Sequence, residues 1–288
     1  WDRLCRVQRN TDGTAKPKIA QPTRAAGPSG FQTKVIRLLP LAHQKLLRVL
    51  LDLCLLQCIP PTSLVQSLVS FIPKPGKGMG ILDQRPIQLV EMILRELDSI
   101  IYARLARGMR LKSLMPTCSY GSHPGRSTAQ IIAAVTSAMA AANATASPMI
   151  FLCLDLLKAY ECTGFFSADL GLEFCKLPER FKAYARAFTH KMKVSLHTRD
   201  GYTDPQHPTR SIPQGDSLSC LIYPAVLAPL LHYLQTQKEQ HFTVQDDDLQ
   251  EHIPHSLGPM GYVDDVTAAS SHMGGSNSLR AIKKSLTY

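Results

Sequence analysis

Apolar residues recur along this chain with two spacings, one typical of helices and one typical of strands. Helical spacing runs through residues 41–58, where two prolines end it, and through residues 90–109. Residues 67–72 and 81–89 are strand-like and flank a segment rich in Pro and Gly, which predicts a β-hairpin. The first third of the chain is therefore expected to combine helices with at least one strand pair.

The uncharged stretch from residue 127 to residue 154 is interpreted as two elements. An Ala-rich helix comes first, Pro148 marks a break, and the apolar run 149–154 then forms a buried strand. Polar residues inside the stretch, including Gln130 and Asn143, argue against a bilayer span. No membrane partner is expected.

The second half of the chain carries further helices and hairpins. Pro224 and Pro229 are expected to kink or interrupt one of the helices, because proline cannot donate the backbone hydrogen bond that a helix requires. The predicted helices are residues 181–190 and 218–234, and the predicted strand pairs are 193–197 with 209–212, around Gly201, and 258–263 with 266–269.

Three aspartates stand at the ends of apolar runs. Asp264 and Asp265 are adjacent in a strand-like segment, and Asp155 directly follows the run 149–154. Adjacent like charges repel and are costly to bury unless something neutralises them, and a divalent cation does so. Two structural alternatives remain: the pair marks an exposed turn, and Asp155 caps a helix.

Composition points to a nucleic-acid partner. The chain has 288 residues, 44% of them hydrophobic, which is enough for a substantial core, and its formal net charge is +10. A basic surface favours a polyanion, although a generally basic soluble protein remains the alternative. The eight cysteines contain no Cys-x-x-Cys pair and no zinc spacing, so a reduced, intracellular location is expected.

Six motifs in order resemble those of reverse transcriptases, most closely the enzymes of non-LTR, LINE-type retrotransposons, with group II intron enzymes as relatives. The resemblance covers roughly residues 24–270. It is carried by residues 26–31, the Pro/Gly-rich hairpin with residues 71–78 and 84–89, residues 120–128, residues 151–161 (motif A), residues 212–219 (motif B) and residues 262–265 (motif C).

The resemblance implies an α+β, right-hand polymerase fold with an antiparallel palm sheet and helices. We expect a flexible basic lead-in at 1–32, fingers at 33–145 and a palm at 146–288, of which 166–213 belongs partly to the fingers. A helical thumb is expected after motif C and is missing, so the chain is interpreted as a fragment. In a eukaryotic retroelement the location would be the nucleus or the cytoplasm.

The same resemblance implies the chemistry of the three aspartates. Asp155, Asp264 and Asp265, with the backbone carbonyl of Leu156, would hold two Mg²⁺ ions, for which Mn²⁺ could substitute. Tyr160 would be an aromatic gate under the sugar that excludes the 2′-hydroxyl and so selects dNTPs. Ordinary packing is the alternative for this ring.

Other residues are expected to contact the substrates. Lys74 and Arg85, on the hairpin, would bind the triphosphate, and Gln214 with Gly215 would contact the incoming nucleotide or template. Arg126 is expected to contact the template backbone. The implied partners are an RNA template, a DNA primer and dNTPs; the oligomeric state is left open. For Asp216 and Ser217 a helix N-terminus is the alternative, and both can hold.

The function that the resemblance implies is RNA-directed DNA synthesis by a retroelement enzyme. Three rival functions share part of this pattern. A viral RNA-dependent RNA polymerase is disfavoured, because it would carry Asp at Tyr160 and Ser-Gly at Gln214 and Gly215. A catalytically inactive remnant that only binds nucleic acid and an intron maturase remain as alternatives. The departures from the family pattern, such as Ser29 in place of Asp and Glu161 in place of a second Asp, remove no proposed metal ligand.

Overall fold

The computed structural model describes residues 26–76, 78, 80, 83–111, 114–121, 125–198, 200–237, 241–244 and 255–271. Most of the predicted lead-in, residues 1–25, lies outside the described residues. The chain divides into two compact units. The first takes its residues from Trp1–Ala103, Thr163–Phe165 and Pro178–Ser219, and the second from Arg104–Cys162, Phe166–Leu177 and Cys220–Tyr288.

Helices and strands alternate irregularly, which confirms the predicted α+β class. The described helices are α1 (Thr33–Leu38), α2 (Leu41–Gln57), α3 (Met92–Leu111), α4 (Thr128–Ala144), α5 (Ala159–Cys162), α6 (Phe165–Phe174), α7 (Glu179–Lys191) and α8 (Ser219–Thr236). The described strands are β1 (Gln66–Pro73), β2 (Gln84–Val90), β3 (Met149–Asp155), β4 (Lys193–Thr198), β5 (Gly201–Tyr202), β6 (Phe242–Val244), β7 (His255–Leu257), β8 (Met260–Tyr262) and β9 (Asp265–Ser271).

The first unit is built on a four-stranded sheet in the order β2-β1-β4-β5. Strands β1 and β2 form the predicted antiparallel hairpin, in register from Ser67 opposite Val90 to Pro73 opposite Gln84. Strand β4 pairs with β1 in parallel and with β5 in antiparallel orientation. Helices pack their apolar faces into this unit, and its buried side chains include Ile36, Leu94, Leu97, Phe188, Met192 and Ile212.

The predicted strand at residues 209–212 is wrong. Strand β4 turns tightly at Gly201 and pairs with β5, and Val194 forms a further bridge with Gln206. Beyond that point Arg210 makes only an isolated bridge, to Gly164. Prolines at 205, 208 and 213 remove backbone donors from this segment, so it cannot sustain a ladder.

The second unit contains a three-stranded antiparallel sheet in the order β3-β9-β8 and a two-stranded sheet of β6 and β7. Helix α4 begins with a capping box in which Ser127 and Gln130 each bond the other's backbone. Its Ala-rich face packs with the strands in a cluster centred on Ala142, Phe242 and Ala269. Helix and strand thus fall where the uncharged stretch predicted them.

Strand β3 is less buried than its apolar sequence suggested. Within the described residues β9 is its one strand neighbour, which leaves β3 at the edge of the sheet. Ile150 and Phe151 keep 37% and 39% of their surface exposed, so the prediction of a buried strand is wrong. An apolar run indicates strand structure, but it does not indicate whether the strand has one neighbour or two.

Helix α8 runs through Pro224 and Pro229 without the predicted interruption. Pro229 has no N–H to bond the carbonyl of Ala225, one turn earlier. Gly171 of α6 approaches that carbonyl so closely that a Cβ on it would overlap the oxygen. Close packing of buried α8 residues, among them Leu221, Ile222, Ala228 and Leu231, therefore maintains the helix despite the lost hydrogen bonds.

Among the described residues, no helix combines the length and apolarity that a membrane crossing requires.

Candidate active site

Three carboxylates lie at one end of the sheet of the second unit. Asp155 is the last residue of β3 and Asp265 is the first of β9, and the two are Cα partners in the antiparallel register. Such partners lie about 4.5–5.5 Å apart between Cα atoms. Asp264 precedes Asp265 in the turn of the β8–β9 hairpin. The structure therefore brings together the three aspartates that the sequence singled out.

The β8–β9 turn is conformationally unusual. Tyr262 pairs with Asp265, so only Val263 and Asp264 form the loop. Val263 has a φ of 55°, in the left-handed region that a β-branched residue disfavours. A residue held in this conformation destabilises the fold by about 1–3 kcal/mol, and the conformation persists only where the surrounding contacts impose it. The strained turn places Asp264 at the tip of the hairpin.

A neighbouring segment supports this hairpin through its backbone. The Tyr120 N–H donates to the carbonyl of Gly261 at 2.7 Å, and the Gly261 N–H donates to the carbonyl of Cys118 at 2.9 Å. Gly121 lies against Val263 so closely that a Cβ would overlap the Val263 amide nitrogen. The hairpin is therefore fixed on two sides, by β3 and by residues 118–121.

Negative charge accumulates at this end of the sheet. Partial burial raises the pKa of Asp265, and the charges of Asp264 and Asp155 raise it further. Hard carboxylate oxygens that repel one another have the donor chemistry that a divalent cation requires. In the conformation described, residues 26–271 with their gaps contain no three acidic, His or Cys side chains grouped closely enough to hold a metal ion.

Tyr160 lies next to these carboxylates in α5 and stacks on a second tyrosine. Its ring centroid is 4.7 Å from that of Tyr223, at an interplanar angle of 27°. Tyr223, on α8, is 2% exposed. Burial raises the pKa of Tyr160, as do the charges of Cys220 and Asp264. One face of the Tyr160 ring is therefore packed, and its role as a gate remains a prediction.

Tyr223 is a site residue that sequence reasoning missed. Burial raises its pKa, and the negative charge of Asp264, the Tyr160 hydroxyl and the charge of Asp155 raise it further. In the sequence Tyr223 is one residue of an apolar helix, and nothing in that helix marks it as adjacent to the carboxylates. Only the fold brings it there.

Arg126 braces the segment that supports the motif C hairpin. Its guanidinium donates to the carbonyl oxygens of Thr117 and, at 2.9 Å, Ser119, and it lies 4.9 Å from the centroid of the Tyr120 ring. These contacts give Arg126 a structural role in the second unit. A contact with the template remains a prediction.

The other expected substrate contacts belong to the first unit. Lys74 and Arg85 lie at the turn end of the β1–β2 hairpin, where the Lys74 N–H donates to the carbonyl of Asp83 at 3.2 Å. Arg85 is exposed and Lys74 is half-buried. Lys77, at the predicted loop tip, lies outside the described residues. The candidate residues thus divide between the two units, with the carboxylates, Leu156, Tyr160 and Arg126 in the second.

The motif B turn docks on strand β2. The Gln88 N–H donates to the carbonyl of Gln214 at 2.9 Å, and the Gln88 side chain donates to Ser67 Oγ at 2.7 Å. Gly215 has a φ of 116°, and a Cβ there would lie 3.2 Å from the Gln88 carbonyl oxygen. Glycine is therefore required by both conformation and space. Strand β2 therefore carries Arg85 and also bonds this turn.

Beyond this turn lies a buried polar group that the sequence did not reveal. Asp216 is 1% exposed, and its Oδ2 accepts from the Leu218 N–H at 2.7 Å, which matches the expected role at the start of α8. Asp98 of α3 is 0% exposed and accepts from the hydroxyl of Tyr184 at 2.7 Å. Asp98 and Tyr184 sit in amphipathic helices, where periodicity indicates burial but not a partner.

Ser29 has a clear partner despite its departure from the family pattern. Its N–H and its hydroxyl donate to the two carboxylate oxygens of Glu91, at 2.7 Å and 2.6 Å. Gly27 lies against the backbone of Glu91, where a Cβ would be 2.8 Å from its Cα. A serine therefore anchors the opening turn to the start of α3.

Comparison with known proteins identifies the class. The sequence profile of the family described as reverse transcriptase (RNA-dependent DNA polymerase) matches residues 72–286, about three quarters of the chain. The chain therefore belongs to the reverse transcriptase family, which confirms the resemblance at that level and the predicted polymerase fold. No curated protein sequence matches it.

Solved structures with a similar fold include that of apo telomerase from Candida tropicalis truncated from its C-terminal domain. The TM-score is 0.48 and the sequence identity 10%, and the similarity covers 80% of this chain and 48% of the telomerase chain. The chain thus spans about half the length of that telomerase chain.

Proposed function

We propose that this chain is the core of a retroelement reverse transcriptase that extends a primer 3′-hydroxyl with dNTPs on an RNA template. The observation that carries the proposal is the meeting of Asp155, Asp264 and Asp265 at one end of an antiparallel sheet, in a chain of the reverse transcriptase family. The order of the motifs supports the non-LTR, LINE-type subclass. Within this proposal, residues 33–145 are fingers and 146–288 are palm.

The three aspartates, with the carbonyl of Leu156, would hold two Mg²⁺ ions, for which Mn²⁺ could substitute. When bound, the ions lower the pKa of the primer hydroxyl and neutralise charge on the triphosphate and the leaving pyrophosphate. The protein contributes placement: the strained turn and the register of β3 with β9 bring the three carboxylates to the same end of the sheet.

The remaining candidates bind and select the nucleotide. Exposed Arg85 and half-buried Lys74 have the charges to hold the triphosphate, Arg in a forked contact and Lys as a point charge. Gln214 offers its side-chain amide to the nucleotide or template. Gly215 has no side chain, so either ligand can approach its backbone closely. Tyr160, packed on Tyr223, offers a rigid ring edge under the sugar, where a 2′-hydroxyl would clash.

The function is tested by primer extension with matched templates. The chain is incubated with one DNA primer on an RNA and on a DNA template, with dNTPs or rNTPs, in Mg²⁺ and in Mn²⁺. We expect metal-dependent extension on RNA with dNTPs and little with rNTPs. Preference for rNTPs would contradict the assignment.

Measurements on the same protein also distinguish two alternative functions. A chain of net charge +10 is expected to bind RNA with an affinity that falls about tenfold or more from 50 to 200 mM salt, as for two or more phosphate contacts. Salt-sensitive binding without extension in either metal would favour a catalytically inactive, nucleic-acid-binding remnant. Binding confined to a structured intron RNA would favour a maturase-type enzyme.

A further inference from the structure

Two carboxyl groups meet in the interior of the first unit, next to the motif B turn. Asp98 of α3 and Asp216 are 0% and 1% exposed. Burial raises the pKa of Asp98 well above its ordinary value, and the negative charge of Asp216 raises it further. Burial also raises the pKa of Asp216. Two ionised carboxylates at this place would be strongly unfavourable, so the pair retains a proton.

The hydrogen bonds indicate where the proton lies. Asp216 accepts from the Leu218 N–H, and the backbone N–H groups of Ser217 and Ser219 also favour its ionised form, so the negative charge lies on Asp216 and the proton on Asp98. Asp98 is therefore the donor to Asp216. The other oxygen of Asp98 accepts from Tyr184, and the other oxygen of Asp216 accepts from the Leu218 N–H, both at 2.7 Å. Each carboxyl group is thus held from two directions.

The neighbouring residues form a second link between the same two segments. The hydroxyl oxygens of Ser99 and Ser217 are 2.8 Å apart. Ser99 Oγ also lies 2.8 Å from the Arg95 carbonyl, to which it donates, so Ser217 is the donor in the serine pair. Residues 98 and 99 of α3 are therefore bonded to residues 216 and 217, and these two links form a clip between α3 and the turn.

The clip acts on the turn that is proposed to meet the nucleotide. Gln214 and Gly215 directly precede Asp216, and on their other side the Gln88 N–H of β2 donates to the Gln214 carbonyl. The turn is therefore fixed between a strand and a helix of the same unit. Loss of the clip would leave the Gln88 bond and release the end of the turn next to α8.

We propose that the Asp98–Asp216 and Ser99–Ser217 pairs act together as a positioning device that fixes the Gln214–Gly215 turn for the incoming nucleotide, and that Asp98 is the hydrogen-bond donor of the acid pair. The inference rests on the proposed function. It adds a residue on α3, outside every motif that resembled the family, and it gives motif B residue Asp216 a role beyond the start of a helix.

Three variants test the device. Asp98→Asn keeps a donor to Asp216 and an acceptor for Tyr184, whereas Asp98→Leu keeps the number of side-chain heavy atoms and removes both bonds. Asp204→Leu makes the same chemical change at an exposed position and serves as the matched control. For each protein, KM for dNTP and kcat are measured in primer extension, with RNA affinity and thermal melting alongside.

We expect Asp98→Leu to raise KM for dNTP about tenfold while kcat falls less, because a mispositioned turn weakens binding of the nucleotide rather than the chemical step. RNA affinity should not change. Asp98→Asn should keep KM within about threefold of the wild type, since it restores the bond. Equal KM in Asp98→Leu, or equal damage by Asp98→Asn, would overturn the proposal.

If Asp98→Leu does not fold, Ser217→Ala decides, because it removes only the half-buried serine link. A folded Ser217→Ala protein with raised KM supports the device, and one with unchanged KM overturns it. Wild-type protein that incorporates no dNTP would overturn the proposed function and this inference together. Active wild-type protein with an insensitive Asp98→Leu variant would overturn the inference alone.

Discussion

At the scale of single residues, the second unit places two tyrosine rings beside its carboxylates. Tyr160 and Tyr223 stack at 4.7 Å, and the charge of Asp264 raises the pKa of both hydroxyls after burial does so. Both rings therefore stay neutral.

The Tyr160 ring is predicted to set sugar selectivity. In Tyr160→Ala the space under the sugar opens, so kcat/KM for rNTP relative to dNTP should rise at least tenfold, about 1.4 kcal/mol. Tyr160→Phe keeps the ring and should keep the ratio. Competition between dNTP and rNTP in primer extension measures it. An unchanged ratio in Tyr160→Ala would make the ring ordinary packing.

The buried acid pair predicts a distinctive dependence of stability on pH. Burial raises the pKa of Asp98 in the folded protein, so the folded state binds the proton more tightly than the unfolded state. The stabilising effect is complete below the ordinary Asp pKa of about 4 and is lost as pH rises through the raised value. The side chain of Asp98→Asn cannot ionise, so this variant lacks the pH-dependent stabilisation that Asp98 contributes.

Urea unfolding of both proteins from pH 4 to pH 8 measures the effect. The stability of the wild type relative to Asp98→Asn should fall as pH increases. Tyr184 from α7 donates to Asp98, and the charge of Cys54 from α2 acts on Tyr184. A relative stability that rises with pH would contradict a shared proton.

At the scale of elements, local patterns determined what could be predicted. The β1–β2 hairpin and α4 follow from turn residues and periodicity, which act over a few neighbouring residues. The strand predicted at residues 209–212 does not form, because the prolines on either side of it cannot donate the backbone hydrogen bonds of a ladder. The burial of β3 and the continuity of α8 depend on distant neighbours such as β9 and Gly171, which local sequence does not encode.

Two helical glycines provide a test of the packing around α8. A Cβ on Gly171 would overlap the backbone of Ala225, so Gly171→Ala should lower the free energy of unfolding by about 1–3 kcal/mol. Gly108, in α3, has no atom within 4 Å of that position, and Gly108→Ala should raise it by about 0.5–1 kcal/mol. Urea unfolding gives both values; a stabilising Gly171→Ala would contradict the close contact.

At the scale of the whole molecule, a chain of net charge +10 brings three carboxylates to one end of a sheet. The sequence predicted Asp155, Asp264 and Asp265, because acidic residues at the ends of apolar runs are conspicuous. It could not predict Tyr223, Asp98 or Tyr184. Tyr223 lies in an apolar helix, and Asp98 and Tyr184 lie in amphipathic helices. Only the fold brings Tyr223 beside the carboxylates, and Asp98 with Tyr184 beside Asp216.

The most direct test of the account is dNTP incorporation on an RNA template by Asp264→Asn. The wild type and Asp204→Asn, an exposed matched control, are measured beside it in Mg²⁺, with RNA affinity and melting temperature recorded for each. The account predicts that Asp264→Asn loses at least a hundredfold in rate, about the effect of removing one group that stabilises the transition state, and still binds RNA. Full metal-dependent synthesis by Asp264→Asn would contradict the assignment of the active site.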